Sequence, residues 1–303
     1  MALGYEGLVK LGDYYVLGTG SAVPRTRIRL ESSSGYGGKI KTPEDEIGIG
    51  APFNYDWTQY DGSISFEMTK DVFENELKPW LFDRQTVKEI NLISRKKNIQ
   101  QFKKCLFNSI SISASEGAAV DGSVGFVALQ RDNYDWGKLY KDNRLGESKD
   151  GTNGNIICPP SNFPEPLNLF SKKNKIPIPY WNTIIKVTAT STEKVKNFTT
   201  WSLDFSQEVV KFFGCNNNAT VQEPLFMAVG PMTVTFSGSF MDDFTAAQNG
   251  FLGDHLKQIE IDIASSKIKL LRLEATSEND DVQTADSPVP LTVEYAAYEI
   301  KKT

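Results

Sequence analysis

The chain has 303 residues, with 33 Lys+Arg against 38 Asp+Glu and a formal net charge of -5. That length suggests two domains or one large all-β domain. A 40% hydrophobic content excludes wholesale disorder. A mean hydropathy of -0.34 excludes a transmembrane helix, and the acidic balance argues against non-specific nucleic-acid binding, which needs clustered Lys and Arg.

Residues 1–60 are rich in Gly, Ser and Tyr, and the N-terminus has no basic stretch followed by an apolar one, so no signal peptide is expected. Strand-like stretches fall at 15–17 and 27–31, and a loop over 32–54 carries the acidic run Glu44-Asp45-Glu46. Residues 63–68 (SISFEM) alternate, with Ile64, Phe66 and Met68 on one face. A helix is predicted next: Thr69 suits its N-cap, and Phe73, Leu77, Trp80 and Leu81 share a face. Pro79 should end or distort it early. Strands are predicted at 87–94, 106–114 and 123–130.

Residues 132–179 hold six of the chain's 14 prolines and the run GESKDGTNGN, the composition of a linker or long insertion. Strand patterns resume at 181–190, 199–205, 232–236, 258–264, 268–275 and 291–300. One short helix is predicted over 242–249, stopped by Asn249-Gly250.

The order strand, helix, strand, strand, strand occurs twice. Ser63–Phe66 matches Thr233–Phe236 at an offset of 170 residues. Phe73 matches Phe244, Trp80-Leu81 matches Phe251-Leu252, and Glu89–Leu92 matches Glu260–Ile263, all at 171. Residues 123–128 match 291–296 at 168. Chance alternation would not keep the helix in place between the strands, so a duplication is expected.

Little in the chain carries chemistry. One histidine, His255, leaves no multi-His metal site and few acid–base schemes. Cys105, Cys158 and Cys215 form no CxxC, and their odd number argues against a disulfide framework and for a reducing compartment. The Gly clusters at 18–24 and 35–39 lack phosphate-loop spacing. The acidic runs 44–46 and 278–281 lack the pattern of a calcium loop, and no GxSxG marks a nucleophile. Arg95-Lys96-Lys97 falls where two strands would turn. No catalytic, cofactor or metal site is expected.

The run 197–244 (NFTTWSLDFSQEVVKFFGCNNNATVQEPLFMAVGPMTVTFSGSFMDDF) resembles the central part of bacteriophage tail tube (major tail) proteins. It has an early strand (201–205), a long loop, a Gly-Pro introduction (230–231) and an alternating strand (233–237). The first half repeats this order more loosely. The resemblance covers residues 14–131 and 180–300 in pattern. It implies a mainly β chain of two tandem tail-tube-like β-sandwich or half-barrel domains, each with one short α-helix. These would span 1–131 and 180–303, joined by the Pro/Gly-rich segment 132–179.

The resemblance further implies a structural virion protein, not an enzyme. It would self-assemble into stacked rings around a conduit through which DNA passes without specific binding. Two domains per chain imply a trimer with pseudo-sixfold symmetry in place of a hexamer. Lumen candidates are Ser63, Ser65, Glu67, Thr233, Thr235, Ser237, Glu260 and Asp262. Ring-stacking candidates are Glu44, Asp45 and Glu46 in loop 32–54, and Asn216, Asn217 and Asn218 in loop 207–224. Tape-measure, terminator and baseplate proteins would be partners, and the place of action a phage tail assembled in the host cytoplasm. Three readings stay open beside it. One is a receptor- or carbohydrate-binding β module using Tyr36, Tyr55, Trp57 or Trp136. A second is a tail-terminator or baseplate ring protein on the same fold. The third is a β-rich hydrolase with a carboxylate pair.

Overall fold

Alternation of small polar with large apolar residues makes most of this chain strand. The structure, a computed structural model, describes residues 7–22, 25–29, 40–41, 47–48, 56–94, 98–135, 176–188, 192–195, 198–212, 221–222, 226–241, 256–280 and 290–302. The first half contains β1 (Gly7–Leu11), β2 (Tyr14–Ala22), β3 (Arg25–Arg29), β4 (Ile40–Lys41), β5 (Ile47–Gly48) and β6 (Asp56–Glu67). A helical segment follows, then β7 (Lys88–Ser94), β8 (Asn98–Ser115), β9 (Asp121–Ala128) and β10 (Gln130–Asp135). The second half contains β11 (Thr183–Thr188), β12 (Thr192–Val195), β13 (Phe198–Phe212), β14 (Val221–Gln222) and β15 (Phe226–Met241). It ends with β16 (Gln258–Ile263), β17 (Ser266–Asp280) and β18 (Pro290–Lys302). The fold is mainly β, and no described helix is long and apolar enough to cross a membrane.

Strand pairing runs in two circuits. In the first, β2 pairs with β1, β1 with β7, β7 with β8, β8 with β9, β9 with β6, and β6 with β2, all antiparallel. In the second, β12 pairs with β11, β11 with β16, β16 with β17, β17 with β18, β18 with β15, and β15 with β13. Only residues 196–197 separate β12 from β13. The bent β2 of the first circuit therefore has β12 and β13 as its counterpart in the second. The six pairings recur in one order. Register amends one sequence match: Ser65 faces Ser123 and Thr235 faces Ala296, so β18 stands 173 residues after β9, not 168.

The circuits share one strand junction. The first part of β8 pairs with β7; its last part, Ser109–Ser115, pairs with β13. One sheet thus continues through both halves of the chain. Lys104, near the point where β8 parts from β7, has φ +53, and Arg272, where β17 parts from β16, has φ +52. Left-handed backbone at a bulky residue marks the bend at which each strand leaves that partner.

Helix formation at 70–82 follows the apolar spacing, and Phe73, Leu77, Trp80 and Leu81 are all buried. Pro79 does not end it. Instead α1 (Lys70–Val72) passes through a π-turn (Phe73–Leu77) into α2 (Lys78–Phe82). A proline lacks its N–H and crowds the carbonyl four residues back, and one widened turn relieves both. Thr69 precedes α1, but its side chain makes no capping bond; its carbonyl accepts the Phe73 N–H at 3.0 Å. The second predicted helix, 242–249, lies outside the described residues.

The helical segment is held beneath the β1–β2 turn. Gly12 has φ +56, and a Cβ there would run into the Glu76 carboxylate. Glu76 accepts the Asp13 N–H at 2.9 Å and pairs with Lys88. Lys78 donates to the Ser266 hydroxyl at 3.1 Å, tying the segment to the turn between β16 and β17. Trp80 meets Phe107 edge to face at 5.4 Å and donates its indole N–H to the Thr86 carbonyl at 2.7 Å.

The described ends of the Pro/Gly-rich segment 132–179 are built into the sheet. Residues 132–135 belong to β10, which pairs with β8. Ile178 is buried; its N–H donates to the Met68 carbonyl, and its carbonyl accepts from Val120, at 2.7 and 2.8 Å. The loop expected over 207–224 is also shorter. Residues 207–212 continue β13 as an arm paired with β15.

Replacing Trp80 with Ala removes the largest fully buried side chain among the described residues, together with its hydrogen bond to the Thr86 carbonyl. The expected cost is about 3–5 kcal/mol, read as a lower urea midpoint at unchanged slope.

Candidate functional site

Strands β6, β9, β8, β13, β15 and β18 lie side by side, and their alternation is in phase. Ile64, Phe66, Ile110, Ile112, Leu203 and Phe236 are buried on one face. The opposite face is set by the residues between them. Register gives one row of Ser65, Ser123, Ser111, Asp204, Thr235 and Ala296. The next row is Glu67, Asp121, Ser113, Ser202, Ser237 and Glu294. These rows hold four carboxylates and no lysine or arginine. The hydroxyls bond across strands: Ser202 to Ser237 at 2.9 Å, and Ser206 to Thr233 at 2.7 Å. Ser202 also donates to Asp204 at 2.8 Å. At the rim of the face, Tyr298 on β18 donates to Glu274 on β17, and this bond pushes the exposed phenol's pKa above its usual range.

The structure brings together six of the eight lumen candidates: Ser63, Ser65 and Glu67 on β6, and Thr233, Thr235 and Ser237 on β15. It does not bring Glu260 and Asp262 to them. Both lie on β16, which pairs with the part of β17 before its bend at Arg272. Glu260 is not an open carboxylate. It lies 3.5 Å from Lys186, 3.3 Å from Lys267 and 3.2 Å from Lys269. Burial pushes its pKa up, but hydrogen bonds from Lys269 and Lys267, with the charges of Lys267 and Lys186, outweigh burial and hold it below the ordinary value.

Sequence reading missed Ser109, Ser111, Ser113, Asp121, Ser123, Ser202, Asp204 and Glu294. The signal was present: SISIS at 109–113 and WSLDFS at 201–206 alternate as SISFEM does. What the sequence lacks is the register that puts these strands next to one another.

The β13–β15 arm lies over the first half of the chain. Gln207 donates to the Phe107 carbonyl at 2.7 Å, and Arg84 to the Gly230 carbonyl at 3.2 Å. Lys211 reaches Asp61 at 3.0 Å. Beneath the arm a cleft of about 370 Å³ is lined by Val87, Leu106, Leu129 and Phe226 through Val229. Phe212 and Phe226 stack at 4.5 Å, and both are exposed.

Among the described residues no group of three His, Cys, Asp or Glu is placed to hold a metal ion. Cys105 is buried, its thiol pushed up by desolvation, and it donates to the Phe102 carbonyl at 3.4 Å. An inert thiol follows. His255, Cys158 and Cys215 lie outside the described residues. So do the stacking candidates Glu44, Asp45, Glu46, Asn216, Asn217 and Asn218, and the loop aromatics Tyr36, Tyr55 and Trp136.

No protein-family model matches the chain, and no curated protein matches it. Among solved structures, it is similar to a chain in the tail of an empty gene transfer agent particle of C6 symmetry, at 14% identity and a TM-score of 0.34. It is similar in the same degree to a chain in the virion of the native gene transfer agent particle. Each match covers 41% of this chain and 96% of the other. A likeness of that size does not establish a shared fold.

Glu260→Gln tests the lysine cluster. A lowered carboxylate pKa adds stability that is present above the unfolded value and lost as pH falls through the folded one. Near neutral pH the variant is expected to lose about 1 kcal/mol, discounted because the cluster lies close to solvent. Urea midpoints of the two proteins should converge only on the acid side of the ordinary carboxylate range, as pH falls through the lowered native pKa.

Proposed function

We propose that the protein is a phage tail tube protein: a structural virion component that closes into rings and stacks them into a conduit for DNA. One observation carries the reading. A single sheet runs through both halves of the chain and presents a continuous face of hydroxyls and carboxylates, with no cation in its two central rows. A channel that must not hold DNA needs such a lining. Phosphates find no lysine or arginine to displace their counterions, and the carboxylates repel them.

In this reading the two strand circuits are tandem tail-tube-like domains, 1–131 and 180–303, bridged by 132–179. Three chains make a ring of pseudo-sixfold symmetry. The face-bearing sheet has eight strands per chain once β2 and β17 are counted at its flanks. Three such sheets closed at about 4.8 Å per strand and a tilt near 40° stand roughly 45–50 Å apart across the barrel, wide enough for a nucleic-acid duplex. Eight strands closed alone enclose only enough room for their own side chains. The channel therefore requires assembly. The lining would be Ser63, Ser65, Glu67, Thr233, Thr235 and Ser237 with their row neighbours. The loops carrying Glu44–Glu46 and Asn216–Asn218 would meet the next ring. Tape-measure, terminator and baseplate proteins would complete the tail.

Negative-stain microscopy of the purified chain, with its mass in solution, tests this. Hollow rings or tubes built from three chains are expected. A compact monomer at high concentration would remove the reading, and rings that never stack would turn it to a terminator or baseplate protein. The lining has its own test. Asp204→Lys with Glu294→Lys should leave assembly intact and make the tubes retain duplex DNA. That retention should fall by about 10³ or more between about 50 and 200 mM salt, while native tubes retain none.

A further inference from the structure

The junction inside the chain specifies how one chain would join the next. In the first circuit, β8 leaves β7 and pairs through Ser109–Ser115 with β13, which continues from the strand already bound to β11. The counterpart of β8 in the second circuit is β17. It pairs with β16 only through Leu271. From Arg272 to Asp280, no described strand occupies its edge opposite β18. The counterpart of β13 in the first circuit is the outer part of β2. It pairs with β1 only through Val16. From Leu17 to Ala22, no described strand occupies its edge opposite β6. One chain thus carries both halves of a second junction, at opposite flanks of its sheet, where they do not pair with each other. Unpaired edges of this length are a liability unless something covers them.

Register makes the match testable. One row crosses Ser65, Ser123, Ser111, Asp204, Thr235 and Ala296 and ends on Glu274 of β17; on its other side Ser65 faces Gly20 of β2. The next row ends on Ser277, and on its other side Glu67 faces Leu17. Both flanking strands gain an extra residue between these rows: β17 between Ala275 and Ser277, and β2 between Gly18 and Gly20. The two irregularities cancel. Glu274 opposite Gly20 and Ser277 opposite Leu17 belong to a single antiparallel register.

Resting on the tube reading, we infer that the partner of this sheet is a second copy of the chain. Arg272–Ser277 of β17 in one copy pairs antiparallel with Leu17–Ala22 of β2 in the next, with Glu274 opposite Gly20 and Ala275 opposite Thr19. The contact is head to tail, so it propagates in one direction and closes only as a ring. It carries the polar rows unbroken across the subunit boundary.

Cysteine cross-linking of the full chain tests the register, with Cys158 and Cys215 changed to Ser and buried Cys105 retained. Glu274→Cys with Gly20→Cys, and separately Ala275→Cys with Thr19→Cys, are oxidised by copper–phenanthroline. Denaturing gels without reductant should show a ladder that ends at three chains. Glu274→Cys with Leu17→Cys, three places out of register, should give none, because a disulfide does not span Cα atoms more than about 7 Å apart. Microscopy of the same samples separates the outcomes. Rings with cross-links in register support the pairing. Rings or tubes without them overturn the pairing and leave the conduit standing. Cross-links in register within open strings keep the pairing and remove the conduit. Monomers without cross-links remove both.

Discussion

A strand edge left without a partner is a liability, and β8, at 18 residues, runs well beyond the 7 residues of β7. β8 spends its first part on β7, bends at Lys104, and gives its last part to β13. Everything distinctive about the molecule depends on that change of partner. Without it the six strands of the first circuit would close on themselves and the sheet would stop. With it, the hydrophobic side remains continuous, as Ile110 and Ile112 meet Phe205 and Leu203 across the junction. The polar side continues with it, because alternation is kept through the seam.

The helical segment fixes the outer half of the first circuit by a different means. Burying Glu76 would be costly alone. It is offset by the Asp13 N–H and by Lys88, and Gly12 lets the carboxylate come close to the backbone. Lys78 then carries the same segment to the second half through Ser266. That serine follows a two-residue turn, Ala264-Ser265, with φ of +51 and +76. Two positive φ values in succession are the geometry that suits the twist of a tight hairpin. The chain adopts it there without Asn or Gly.

Much of the strand content was legible because alternation is a local property. SISFEM shows Ile64, Phe66 and Met68 on one face, and all three are buried; the strands around Leu203, Val234 and Tyr295 are legible as strands. The first strand, Gly7–Leu11, was missed: VKL is too short to show a period, and the Gly-Asp turn after it lies in a Gly-rich region. Ala264-Ser265 carries no turn signature either. The sequence shows that Pro79 ends or distorts the helix, but not that the distortion takes the form of a π-turn. The candidate face was half legible. Parity picked out Ser65 and Thr235, but the strands between them, β9, β8 and β13, became part of the same surface only through long-range register. Glu260 stands apart from the two rows for the same reason. Its alternation is as good as that of Glu67, but β16 pairs with β17 only along the part that precedes Arg272.

The seam between β8 and β13 differs from any seam between separate molecules in one respect: both strands belong to one chain. Bringing two free proteins together forfeits translational and rotational freedom worth about 4–15 kcal/mol. The internal seam meets no such loss, so it forms at any dilution and needs no anchoring aromatic on its polar side. Serine opposite serine is enough there: Ser113 faces Ser202 and Ser109 faces Ser206. Protein concentration therefore acts only on contacts made with other molecules, and the cell can control association by abundance without ever opening the seam inside the chain.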